Sequence, residues 1–257
     1  MSLKYSTAAR TFMAGVGSYK NAFQNGRIEI YTGPQPATAD AAVQGTLLCT
    51  ITSSSLALTN EVLSSGTVTL TGGASGSVNT LTVNSLEIMG AAVPFNTSLT
   101  QTATDMVAQI NAYHSYAEYV ASSNGAVITI KALPGSGTAP NGFVVASTVT
   151  TITKTDVNMS GGVAAVNGLK FGAPSAGAVS KLASQTWSGV NGASGTAGWY
   201  RQYGSVADAG AADTNLEFIR EDGAIATSGA ELNLSSTALV AAATTTISGD
   251  TLTIPTL

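Results

Sequence analysis

The chain has 257 residues, with 10 Lys and Arg against 14 Asp and Glu, a formal net charge of -4, one His and one Cys. Charged residues are 9% of the total, against about 25% in an average soluble domain, while 44% are hydrophobic and the mean hydropathy is +0.24. These figures exclude intrinsic disorder, a basic nucleic-acid binder, an internal disulfide and a His/Cys metal cage.

The start, MSLKYSTAAR, interrupts any apolar run with Lys4, Ser6, Thr7 and Arg10. No secretory signal is therefore expected. No stretch approaches the ~20 apolar residues of a membrane-spanning helix. Synthesis in the cytoplasm, with no membrane partner, is the expectation.

Within residues 3–16, Tyr5, Ala8, Ala9, Phe12, Met13 and Val16 recur at helical spacing, and Gly15 and Gly17 supply a stop. Such a helix either packs on its own sheet or docks on a neighbouring subunit, and its terminal position favours an arm. The pattern then changes to period two. Arg27–Tyr31 predicts a strand between the turn signals Asn25-Gly26 and Thr32-Gly33-Pro34, and Gly45–Ile51 predicts a second one carrying Cys49. Cys49 there is a small buried hydrophobe rather than a nucleophile.

Residues 64–165 look like a separate unit. Strands are predicted at Thr67–Thr71 and Thr80–Val83, with Leu86–Met89 continuing the second. A helix follows at 98–114, with Leu99, Ala103, Met106, Val107, Ile110 and His114 on one face and Ser98/Gln101 as a capping box. Tyr116–Ala121 and Ala126–Ile130 form a hairpin around Ser123-Asn124-Gly125, and Phe143–Ile152 adds a strand. The unit reads ββαβββ. From 166 onward strand and turn return, with Trp187, Trp199, Tyr200 and Tyr203 among Gly192, Gly195 and Gly198. Leu216–Arg220 with the turn Glu221-Asp222-Gly223 opens a hairpin, and Thr244–Ile254 closes the chain as a Thr-rich strand.

The opening LKYSTAARTFMAGVGSYKNAF and GRIEIYTGPQPATADAAVQGTLLCTI resembles the start of a family of tailed-bacteriophage virion structural proteins. The end is similar too, in GWYRQYG and AELNLSSTALVAAATTTISGDTLTIP. The middle, with GTVTLTGGASGSVNTLTVN and PFNTSLTQTATDMVAQINAY, resembles a module repeated across phage structural proteins. The resemblance covers nearly the whole chain through turn and packing motifs. It implies that 1–63 and 166–257 form one discontinuous β domain carrying 64–165 as an insertion.

Chemistry-bearing patterns are few. His114, the single imidazole, falls at the C-terminal end of a helix, where it complements the macrodipole without catalysis. Among carboxylates, Glu217, Glu221, Asp222 and Glu231 could pair for glycoside hydrolysis, but Glu221-Asp222 before Gly223 reads as solvated turn acids. Asp208, Asp213 and Asn215 offer loop oxygens for Ca2+ but match no EF-hand spacing. The glycines of 72–77 and 135–137 lack the residues of a phosphate loop. The four clustered aromatics could stack on sugars or bases, with core packing or a subunit interface as the other reading.

The expected fold is mainly β / α+β: a discontinuous β-sandwich-like domain with a short N-terminal helix and an inserted ββαβββ module that projects as decoration. The expected function is that of a structural virion component without catalysis, cofactor or metal. It would assemble as a homo-oligomer and with other phage virion proteins, at the neck, collar or tail or as capsid decoration. Tyr5, Phe12, Met13, Trp187, Trp199, Tyr200 and Tyr203 are the candidate assembly or surface-binding residues. The rival reading is an adhesin that binds a receptor or a host surface glycan through the aromatics.

Overall fold

Burial alternates with period two along much of the chain, and short strands result. The structure, a computed structural model, describes residues 3–15, 17–113, 119–215 and 217–253. The first segment carries β1 (Lys4–Tyr5), α1 (Thr7–Gly15), α2 (Tyr19–Phe23), β2 (Arg27–Thr32) and β3 (Leu47–Ser53). The middle carries β4 (Ser65–Gly72), β5 (Ser77–Val83), β6 (Leu86–Glu87), β7 (Val93–Pro94), α3 (Leu99–Ala112), β8 (Tyr119–Asn124), β9 (Val127–Ala132), β10 (Val145–Thr150) and β11 (Thr153–Ser160). The last part carries β12 (Ala178–Ser180), β13 (Trp187–Val190), β14 (Gly195–Tyr203), β15 (Arg220–Ala226), β16 (Leu232–Asn233), β17 (Ala238–Leu239), β18 (Thr244–Ile247) and β19 (Thr251–Thr253). The fold is mainly β. The chain divides into two compact units, one of Met1–Glu61 with Ala165–Leu257 and the other Val62–Ala164.

The first unit is built on one sheet in the order β1-β15-β14-β2-β3-β13-β18, with β16 added to β15, β17 added to β14, and a separate β12-β19 pair. Its core collects Phe23, Ile28, Ile30, Leu48, Ile51, Phe171, Trp187, Tyr200 and Ile225. The predicted N-terminal helix is split. Lys4–Tyr5 pairs with Glu221–Asp222 as an edge strand, and the helix begins only at Thr7. It packs on its own unit: Ala9 is fully buried, and Phe12 and Met13 lie against the core. The Phe12 ring covers Gly17 closely enough that a Cβ there would sit 2.5 Å from it. A helix held this way is no free arm. Val16 falls outside the described residues. α2, which the sequence reading missed, starts with a capping box between Ser18 and Asn21.

In the second unit, β10-β5-β6 with β7 on β5 forms one four-stranded sheet, and β11-β4-β9-β8 forms another. Val68, Leu70, Val78, Leu81, Val83, Ile128 and Ile130 meet in their shared core, where α3 contributes Met106 and Ile110. Ser98 accepts the Gln101 N–H at 3.1 Å, but the Gln101 side chain turns to Asp105 at 2.9 Å, so only half of the expected capping box forms. The predicted strand at Phe143–Ile152 is shorter, and the chain passes to the other sheet at Thr151, whose φ is 64°. The strand that follows, β11, was not predicted. Its polar sequence TKTDVNMS matches an edge strand, which pairs only with β4. His114 and Tyr116 lie outside the described residues.

Candidate functional site

The polar chemistry of the chain gathers on β14 and β15 of the first unit. Register places Arg201 opposite Asp222, Gln202 opposite Glu221 and Tyr203 opposite Arg220. On the other side of β14, Trp199 pairs with Tyr31, Arg201 with Glu29 and Tyr203 with Arg27. Because side chains alternate, Trp199, Arg201 and Tyr203 share one face, and Tyr200 and Gln202 the other.

The first face is a buried polar layer. Arg201 holds Asp222 in a two-bond fork at 2.6 and 2.7 Å, with neither side chain exposed. Burial alone would lower the Arg201 pKa, but Asp222 overcomes it and holds the guanidinium protonated beyond its ordinary range. Arg220 holds Asp208 in the same way, at 2.7 Å for both bonds. Arg201 also donates to the Ala41 carbonyl at 3.0 Å, tying the loop after β2 onto the sheet. Tyr31 stacks on Trp199 with centroids 4.7 Å apart and planes 15° from parallel. The Arg27 guanidinium lies 3.9 Å from the Tyr203 ring centroid. Its Nε donates to Glu29 at 2.6 Å, and Glu29 also accepts from the Tyr31 hydroxyl.

The opposite face belongs to the apolar core and carries one carboxylate, Glu221, only 3% exposed. Tyr200 donates to its Oε1 at 2.8 Å. Tyr5 and Tyr19 bring hydroxyls near enough to favour the charged form, yet Oε2 has no aligned donor. Burial dominates, with Asp250 adding repulsion, and the carboxyl is pushed up to about 7. Burial likewise lifts Asp250 to about 6 and the Cys49 thiol to about 11.

The predicted site residues form no common surface: Tyr5, Phe12, Met13, Trp187 and Tyr200 meet in the core of the first unit, while Trp199 and Tyr203 lie on the other face of β14. Trp187 is fully buried in β13, with its indole N–H donating to Gln185 at 2.7 Å and its ring edge-on to Phe171. Trp199 and Tyr203 are buried in the polar layer, and Tyr200 faces the apolar core. None offers an exposed ring to a sugar or base, so the aromatic platform is corrected to packing. Tyr5 is half-buried beside Glu221, while Phe12 and Met13 pack inward.

Glu221-Asp222-Gly223, expected as a solvated turn, lies inside β15. Glu221 and Asp222 are adjacent and point to opposite faces, so they cannot act as a pair, and Glu217 and Glu231 are exposed. The Asp213 carboxylate accepts the Glu217 and Phe218 N–H groups at 3.1 and 2.8 Å, and Asp208 serves Arg220 and Gly210. Among the described residues no group of three His, Cys, Asp or Glu side chains is placed to hold a metal, and no helix is long and apolar enough to cross a membrane.

What sequence reasoning missed is the cavity beside this layer. It has a volume of about 620 Å3 and is lined by Arg27, Leu58, Asn60, Asp208, Ala209 and Phe218, among others. Only the alternation of Arg27 and Glu29 in β2 hinted at an inward-facing cation. No protein-family model, curated protein or solved structure matches the chain.

Proposed function

We propose that this chain is a non-catalytic structural component of a tailed-bacteriophage virion, acting by association with copies of itself and with other virion proteins. The observation that carries the reading is where the few charges go. Among the described residues, Arg10, Lys131, Lys170, Glu217 and Glu231 are the only charged side chains that are exposed. Arg201, Arg220, Asp208, Glu221 and Asp222 are spent inside the first unit. The outer surface is left to Ser, Thr, Ala and Gly, with single exposed residues such as Val190 at 57% and Val240 at 62%. Repulsion between copies is then weak, and small side chains let backbones approach closely. The resemblance of both ends of the chain to tailed-phage virion proteins supports the same reading. A ring or collar at the neck or tail, or a decoration on the capsid, fits such a surface.

The test is the absolute mass of the purified chain by light scattering after size exclusion. The expected result is a defined multiple of 25.7 kDa. A monomer at every concentration up to the solubility limit, with no binding to isolated phage particles, would overturn the reading.

A further inference from the structure

β18 follows β13 at the end of the sheet order of the first unit and pairs with no further strand. An edge strand presents a row of unpaired N–H and C=O groups, which proteins blunt with charge, brevity or a covering group. Other edges of this chain are blunted in these ways. β1 is two residues long and includes Lys4, whose ammonium donates to the Pro36 carbonyl at 2.6 Å. In the second unit the Asn111 amide caps the outer edge of β8, donating to the Ala121 carbonyl at 2.9 Å and accepting its N–H at 2.8 Å. Asp156 and Asn158 accept the outward N–H groups of Ser147 and Val145 on β10, at 2.8 and 3.2 Å. Among the described residues β18 has no such cover. Its sequence is Thr-Thr-Thr-Ile, without charge, proline or bulge.

The ladder fixes which groups face outward. Along β13 the Thr186 carbonyl accepts from Ser54 and the Gly192 N–H donates to Leu48, so the even-numbered residues bond β3. The odd-numbered ones bond the β18 side, as the Asn191 N–H does with the Ala243 carbonyl at 2.9 Å. Thr245 and Ile247 stand opposite Gly189 and Trp187. They therefore turn their backbone groups inward, and Thr244 and Thr246 turn theirs to the open side. A two-fold axis at Thr245 places Thr244 of one copy opposite Thr246 of a second, with four N–H···O bonds between them. Such a pairing is self-complementary, as a two-fold contact requires. Charge permits it: Leu182–Tyr200 and Leu232–Gly249, which carry β13 and β18, hold no charged residue. Val190 and Val240, at 57% and 62% exposure, add apolar surface next to these strands. We propose that β18 pairs antiparallel with β18 of a second copy, joining two sheets into one. The proposal rests on the self-association reading and names its contact.

The test combines light scattering after size exclusion with backbone amide exchange, on the full chain over a range of concentrations. The Thr244 and Thr246 amides should exchange fast in dilute solution and become protected as the mass rises. Thr246→Pro removes an outward N–H without breaking a bond to β13. It should at least halve the assembled mass while the near-UV circular dichroism stays unchanged. Thr244→Lys/Thr246→Lys sets like charges opposite each other and should raise the dissociation constant at least about tenfold. Thr244→Lys/Thr246→Glu sets Lys opposite Glu in the same register and should restore association. Assembly of the parent that neither Thr246→Pro nor the double Lys variant weakens would overturn the β18 contact and leave the self-association reading standing. Protection of the two amides only on addition of isolated phage particles would assign the edge to another virion protein and overturn it as well. A parent that stays monomeric would also overturn the contact, while its binding to phage particles decides the wider reading separately.

Discussion

Gly223 shows how one residue can reverse a local reading. Asp-Gly is a strong turn signal, yet here it continues a strand, because Tyr200 lies opposite and its ring crosses the glycine. A Cβ on Gly223 would stand 2.5 Å from Tyr200 Cε1. Gly223→Ala must therefore displace the ring that donates to Glu221, and the expected loss is about 1–3 kcal/mol. Gly192→Ala is the control, since nothing lies within 4 Å of its added carbon, and it should stay within about 0.5 kcal/mol of the parent. Equilibrium urea unfolding of both variants checks this, and equal stabilities would sink the argument. The acids beside Gly223 were misread for the same reason. Glu221 and Asp222 look solvated in one dimension, and only their partners Tyr200 and Arg201, some twenty residues upstream, place them inside.

At the scale of elements, Glu221 is where β1, α2, β14 and β15 meet: Tyr5, Tyr19 and Tyr200 surround it, and Asp250, just before β19, acts on it through space. Both carboxyls titrate above their ordinary values of 4.5 and 3.8, at about 7 and about 6. Between the ordinary and the raised values the folded protein keeps protons that the unfolded chain has released. Unfolding then frees protons, and rising pH favours it. The stabilising contribution of the protonated forms is complete below the ordinary carboxylate range and is lost as pH climbs through about 7. Thermal scans should give a higher Tm near pH 5 than near pH 8, and Glu221→Gln, which stays neutral, should flatten that difference. A parent chain whose Tm rises over the same interval would contradict it. The elements themselves were unevenly legible. β2, β3, β9 and α3 stood out because their apolar residues repeat at period two or 3.6. β1 was hidden inside a helical periodicity, and β11 was hidden by polarity that only its edge position explains.

For the whole molecule, the two places where the chain crosses between units bear on whether each unit stands alone. In the first unit the Thr59 N–H donates to the Val166 carbonyl at 3.0 Å, and in the second Val62 pairs with Val163. Each unit thus has neighbouring ends. Replacing Val62–Ala164 by a short Gly/Ser linker should leave a first unit that unfolds cooperatively and keeps its near-UV circular dichroism, because closing a loop costs only about 0.6 kcal/mol per doubling of its length. Loss of cooperative unfolding would show that the sheet needs the middle segment. By itself the sequence determined the mainly β class, the scarcity of charge and the helix of the middle segment, since period, composition and caps are local properties. Only the tertiary structure decided that the tryptophans are core, that the acids of β15 are internal, and that Arg27, Asn60 and Phe218 share a cavity. Burial and pairing join residues separated by tens or hundreds of positions, and no window along the chain contains both partners.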